Sequence, residues 1–185
     1  MTELVDYLVD KVNKTELCVS PWAHLRIDDF LPANIYSEML DMHQAVKWEE
    51  RWEEESSWAT IKQSNSTFKA LASDTLYQSI VSKFGVAAVP VDTKQSFKLD
   101  NETHKLQFPH RDSSICIMTM QIFLQPRCYL DGGTILMSSE TEEVEELQLV
   151  ANSCNIFLNT RKSWHTVKQR GYTRKSMVQR WRKIT

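Results

Sequence analysis

The apolar positions change their period about halfway along the chain. Over residues 2–14, Leu4, Val5, Leu8, Val9 and Val12 recur at helical spacing, with Thr2 placed to cap the helix. Pro21 opens a short extended stretch holding Leu25, Ile27 and Phe30. Leu31-Pro32 then starts a second helix with Ile35, Met39, Leu40 and Val46 facing inward; proline is tolerated in a first turn because its missing N–H has no partner there anyway. A third helix is predicted over 69–84, with Leu76, Ile80 and Phe84 on one face and Gly85 after it. From about residue 93 the pattern alternates. Candidate strands lie at 95–99, 105–110, 115–124, 134–137, 144–150, 155–158, 165–168 and 174–181, separated by turn chemistry at Asp100-Asn101, Asp131-Gly132-Gly133, Asn152-Ser153 and Arg170-Gly171. About eight short strands in so little chain point to a sandwich or barrel, for which a jelly roll is the eight-strand solution. Residues 1–185 read as one domain, mainly β with N-terminal helices: 1–92 mostly helical, 93–185 the β unit.

Length agrees, since 185 residues suit one domain. Apolar residues at 42% and charged residues at 25% exclude global disorder, and four glycines and five prolines exclude a collagen-like or linker chain. No apolar run approaches a membrane span. The first residues are acidic and no signal-peptide core follows, so a cytoplasmic location is expected. Cys18, Cys116, Cys128 and Cys154 show no CxxC spacing and read as reduced thiols. A net charge of −2 makes no case for a nucleic-acid partner.

Two charge features stand out. Residues 47–58 carry five glutamates and Trp48, Trp52 and Trp58. They are either a solvated loop or a lid over a substrate, and an acidic, aromatic lid would favour a cationic or amphipathic one. From Ala151 onward there is no acidic residue but nine basic ones, Arg174 and Arg180 among them. Either these coat a sheet surface, or at least one arginine faces an anion inside the fold.

Three motifs in the β region belong together. His110-Arg111-Asp112 puts an imidazole and a carboxylate two residues apart, on one side of a strand. His165, after the apolar run 155–158, can add a second imidazole. Two histidines and one carboxylate are the ligand set of non-haem Fe(II) oxygenases, which leaves coordination positions open. Arg174-Lys175-Ser176 offers a guanidinium and a hydroxyl on one side of a strand, a pair suited to a carboxylate.

The order HxD…H…RxS resembles that of the 2-oxoglutarate- and Fe(II)-dependent oxygenase superfamily, most closely its small prolyl-hydroxylase-like branch of bacterial and phage type. The resemblance covers most of the chain, including the opening segment 21–32, 108–124, Asp131-Gly132-Gly133 and 155–176. It implies a double-stranded β-helix, the cupin-like jelly roll. It implies that His110, Asp112 and His165 bind Fe(II), that Arg174 and Ser176 hold the distal carboxylate of 2-oxoglutarate, and that Thr119 and Gln121 line the cosubstrate pocket. The implied reaction uses O2 to hydroxylate an unactivated C–H bond of a small-molecule or peptide substrate, releasing succinate and CO2. Phe123 stands where many relatives have a tyrosine whose hydroxyl touches the cosubstrate. Two other readings of the motifs are a cupin-like metal enzyme that does not use 2-oxoglutarate and a non-catalytic jelly-roll binding module.

Overall fold

A computed structural model describes residues 2–46, 48–50, 56–61, 65–100, 108–167 and 171–184. Helix α1 (Thr2–Lys14) is followed by strand β1 (His24–Ile27) and helix α2 (Ala33–Gln44), which Pro32 immediately precedes. Strands β2 (Glu49–Glu50) and β3 (Ser56–Thr60) lead to α3 (Ser66–Leu71) and α4 (Asp74–Lys83). The rest is β: β4 (Val91–Asp100), β5 (Cys116–Phe123), β6 (Tyr129–Met137), β7 (Glu143–Leu149), β8 (Cys154–Leu158), β9 (Trp164–Thr166) and β10 (Arg174–Lys183).

The single helix expected over 69–84 is two helices. Asn65 accepts from the Thr67 N–H and caps α3; Ser73 accepts from the Leu76 N–H and caps α4. A second N-cap of this kind starts a new helix, because the capping residue itself sits in extended backbone. The segment 47–58, read as loop or lid, contains β2 and the first residues of β3. They pair with each other, and β3 pairs with β4, covering its otherwise open edge. The expected strand at 105–110 falls largely outside the described residues.

Two sheets form the β unit, a jelly-roll core. The larger runs β1-β8-β5-β10-β4-β3-β2 and the smaller β7-β6-β9. The large sheet has two unlike faces. Phe97, Met118, Met120, Ile122, Cys154, Ile156, Met177 and Trp181 share one core with Leu8, Val12, Met39, Leu76 and Ile80 of the helices. The opposite face is polar. Paired residues on neighbouring strands point the same way. The pairs Arg174↔Asp100, Ser176↔Lys98, Ser176↔Phe123, Val178↔Gln121 and Arg180↔Thr119 therefore line one surface, the floor of a cup. Trp58, opposite Lys98, extends that floor onto β3. A smaller apolar cluster, Trp22, Leu136, Leu147 and Phe157, joins residues of the two sheets, with the Phe157 ring 5.0 Å from that of His165.

The pair Gly132-Gly133, expected as a turn between strands, lies within β6, where pairing with β7 is irregular. Gly132 has a φ of +79°, and a Cβ there would meet the Tyr172 hydroxyl; a Cβ on Gly133 would lie 2.0 Å from the Leu147 carbonyl oxygen. Gly133 serves close backbone approach between strands, and Gly132 a positive φ with room for the Tyr172 side chain, rather than chain reversal.

Candidate functional site

The two histidines are brought together by backbone. His110 N–H donates to the His165 carbonyl at 3.0 Å, and His165 N–H donates to the His110 carbonyl at 2.9 Å. Each ring is then oriented by the carbonyl two residues before it. His110 Nδ1 lies 2.9 Å from the Phe108 oxygen and His165 Nδ1 lies 3.0 Å from the Ser163 oxygen. A carbonyl can only accept, so each Nδ1 carries the proton and each Nε2 keeps its lone pair. The ring centroids are 4.5 Å apart.

Asp112 completes the set: one ligand atom from each of His110, Asp112 and His165 fits within 4.8 Å of the others. The Asp112 Oδ2 accepts a short hydrogen bond from the Thr119 hydroxyl, and Oδ1 lies 3.7 Å from Arg180 Nε. The main chain beneath it is held by Asn159, whose Nδ2 reaches the carbonyls of Asp112 (2.8 Å), Ser113 (2.7 Å) and Cys116 (3.0 Å). Burial lowers the His165 pKa to about 4, with His110 adding like charge and Asp112 opposing it. His165 is therefore neutral near pH 7, the form that binds a metal. Two imidazoles whose Nδ1 atoms face carbonyls and one carboxylate suit a divalent first-row metal and leave coordination positions open, so the donor set fits iron.

Deeper in the cup is a buried cluster of Lys98, Asp100 and Arg174. Arg174 is 4% exposed. Its Nη1 donates to Asp100 Oδ2 at 3.3 Å, and its Nη2 donates to Gln121 Oε1 at 3.2 Å and Thr134 Oγ1 at 3.3 Å. Its Cζ lies 5.0 Å from the centre of the Phe123 ring. Gln121 Nε2 in turn donates to Ser176 Oγ at 3.1 Å. Lys98 Nζ sits 3.1 Å from the other oxygen of Asp100. Burial lowers the Lys98 and Arg174 pKa values; Asp100 opposes both shifts. Arg174 Nε is buried with no hydrogen-bond partner among the described residues. An orphaned buried donor on a guanidinium marks a place for an acceptor.

No family model matches the chain, and no curated protein does. Solved structures do. A prolyl-4-hydroxylase from Pseudomonas putida matches with a TM-score of 0.67 at 16% identity, over 98% of this chain and 100% of that one. A prolyl hydroxylase from Trichoplax adhaerens, solved with a hypoxia-inducible-factor peptide fragment, matches with a TM-score of 0.65 at 15% identity, over 97% and 89%. The epimerase SnoN of nogalamycin biosynthesis, solved with Fe3+ and α-ketoglutarate, matches with a TM-score of 0.63 at 13% identity, over 98% and 84%. The chain has their fold. At these identities the likeness is one of architecture, and the side chains must carry the chemistry.

The structure brings together His110, Asp112 and His165 at one point, and Arg174, Ser176 and Gln121 at another on the same cup. Thr119, expected in the cosubstrate pocket, donates to Asp112 from a row of the sheet at the metal end. Of the three lid tryptophans, Trp52 and the glutamates 53–55 lie outside the described residues. Trp48 packs 4.8 Å from the His43 ring on the helix side of the sheet, so it belongs to the core. Trp58 is fixed on β3 as part of the cup wall, and its described ionic neighbours are cations, not acids: Lys98 Nζ at 5.1 Å and Arg180 Cζ at 5.2 Å from the ring centre.

Sequence reasoning missed Lys98, Asp100, Thr134 and Asn159. For the first two a signal existed. Strict alternation puts Lys94, Ser96, Lys98 and Asp100 on one face of β4, but Thr93 and Gln95 on the opposite face blur it.

Proposed function

We propose that the protein is an Fe(II)- and 2-oxoglutarate-dependent oxygenase that hydroxylates an unactivated C–H bond of a small-molecule or peptide substrate. One molecule each of substrate, O2 and 2-oxoglutarate gives hydroxylated product, succinate and CO2. What supports the reading is one juxtaposition: a two-imidazole, one-carboxylate cluster shares a cup with a buried, incompletely partnered arginine. A metal enzyme that does not use 2-oxoglutarate has no use for the arginine, and a binding module has no use for the cluster.

His110 Nε2, Asp112 and His165 Nε2 are the groups that would hold the iron, and the iron, when bound, supplies the O2 activation that no side chain provides. The chain's own residues do the rest. The Phe108 and Ser163 carbonyls fix the tautomers and ring planes of the two histidines. Thr119 holds one carboxylate oxygen of Asp112 and so limits how that group can rotate. Arg174 and Ser176 take the distal carboxylate of the cosubstrate and set its orientation. The Trp22, Leu136, Leu147 and Phe157 cluster keeps the wall beside His165 dry. The four free cysteines accord with a reducing, cytoplasmic setting.

Anaerobic addition of 2-oxoglutarate to the Fe(II)-loaded protein should produce a visible metal-to-ligand absorption band, and O2 should then release succinate. A protein that binds iron but gives neither signal is not an oxygenase of this type. A product heavier by one oxygen atom identifies hydroxylation, whereas an isomer of unchanged mass would place the chemistry with the epimerase.

A further inference from the structure

Lys98 stands in a row of four side chains running across β3, β4, β10 and β5: Trp58, Lys98, Ser176 and Phe123. Arg174 and Asp100 form the next row on the same face, two residues after Lys98 on β4 and two before Ser176 on β10. The side chains of Lys98, Asp100 and Arg174 are all under 10% exposed. One carboxylate serves both cations, with Lys98 Nζ at 3.1 Å from Oδ1 and Arg174 Nη1 at 3.3 Å from Oδ2 of Asp100. The Asp100 carboxylate thus bridges the two cations and holds them beside one another. Among the described residues the cluster holds two positive charges against one negative. Donors in the cluster are left over: Asp100 takes one of the three ammonium hydrogens, and Arg174 Nε and Trp58 Nε1 are buried without a hydrogen-bond partner among the described residues.

A surplus buried cation and a set of idle donors call for an anion with several acceptor lone pairs. On the β5 side the residue directly opposite Ser176 is Phe123, whose ring has no donor, and Gln121 Nε2 is already spent on Ser176 Oγ. On the β4 side is the Lys98 ammonium, held in place by the face of Trp58. We propose that Lys98 is a second cationic contact for the distal carboxylate of 2-oxoglutarate, closing a clamp with Arg174 and Ser176 that selects dicarboxylic over monocarboxylic 2-oxo acids. This rests on the oxygenase reading. With the ligand seated, two cations meet two carboxylates and the cluster is neutral. Asp100 holds the two cations beside one another before the ligand arrives.

The test compares 2-oxoglutarate with 2-oxopentanoate, which has the same chain length and a methyl group in place of the distal carboxylate. Binding to the Fe(II)-loaded protein is read anaerobically from the absorption band, and to the Zn(II)-loaded protein by calorimetry. In Lys98→Met the Kd for 2-oxoglutarate should rise about 10-fold or more, the scale of a charge-assisted hydrogen bond, while that for 2-oxopentanoate stays within about twofold. Equal losses for both acids, or no loss for 2-oxoglutarate, overturn the proposal. Should Lys98→Met fail to fold, Arg174→Gln carries the test: Lys98 alone should preserve a residual preference for 2-oxoglutarate, and identical affinities for the two acids would overturn the clamp. A wild-type protein that binds neither acid sinks the oxygenase reading and this inference with it. Tight wild-type binding beside an unaffected Lys98→Met sinks this inference alone.

Discussion

His110 and His165 exchange both main-chain hydrogen bonds, at 3.0 and 2.9 Å, although 55 residues separate them in the chain. The spacing of the two candidate ligands is thus set by a sheet bridge and does not depend on the imidazoles. Replacing either by alanine should leave the far-UV circular dichroism unchanged. It should weaken metal binding by more than the about 10–100-fold that follows loss of an outer partner. Calorimetric titration with Zn(II) or Mn(II) measures this.

The Thr119 hydroxyl offers a subtler test. Thr119→Val keeps the shape but removes the donor to Asp112, and should weaken metal affinity about 10–100-fold. Thr119→Ser should restore most of the loss. Competition with a chromophoric chelator reads both, and an unchanged affinity in the valine variant would leave Thr119 without a role in holding the carboxylate.

Arg174→Met should raise the Kd and KM for 2-oxoglutarate about 100-fold, the effect of losing a charge-assisted carboxylate pair worth about 3 kcal/mol. Metal affinity measured without cosubstrate should not move. If both fall together, Arg174 supports the fold of the cup rather than the ligand.

Much of this architecture is legible in the residues themselves. The alternation in β5, β8 and β10 is clean because one face of each meets the helices and the other the cup, so Met177 and Trp181 alternate with Arg174, Ser176 and Arg180. The HxD, His165 and RxS positions are legible for the same reason: their spacing by two is the strand period. β3 is harder to see, since Ser56–Thr60 has little apolar content and gains its structure only by pairing with β4. Asn159 is hidden for another reason. Its job is to gather three carbonyls from a loop more than 40 residues earlier, and nothing local in the sequence encodes that. Gly132-Gly133 misleads as a turn because glycine marks close approach and chain reversal alike.

The glycines give a stability prediction. A Cβ at position 133 would press on the Leu147 main chain, which cannot rotate away, so Gly133→Ala should cost about 2–4 kcal/mol in chemical denaturation. A loss below about 1 kcal/mol would show that β7 can shift.

His43 predicts a pH dependence. Burial lowers its pKa below 6.5, its ring lies 4.8 Å from Trp48 and 5.3 Å from Phe97, and Nε2 contacts the Lys98 carbonyl at 3.2 Å. A histidine whose folded-state pKa is depressed takes up its proton more readily when unfolded. Its contribution to stability is thus fully present above about pH 6.5 and declines as the pH falls below that. The metal-free protein should therefore lose stability between pH 7 and 5. In His43→Phe that decline should be shallower, because His165 then titrates without it. Urea denaturation across this range measures the slope.

The two-faced β10 makes the chain intolerant of a single-residue slip. One residue inserted ahead of Ser176 would turn Met177 and Trp181 toward the ligand and drive charged side chains into the helices. Length changes at the 138–142 hairpin tip disturb no such parity. Loop-grafting that seeks new substrates should therefore work at the hairpins, with the strand carrying the carboxylate grip kept at fixed length.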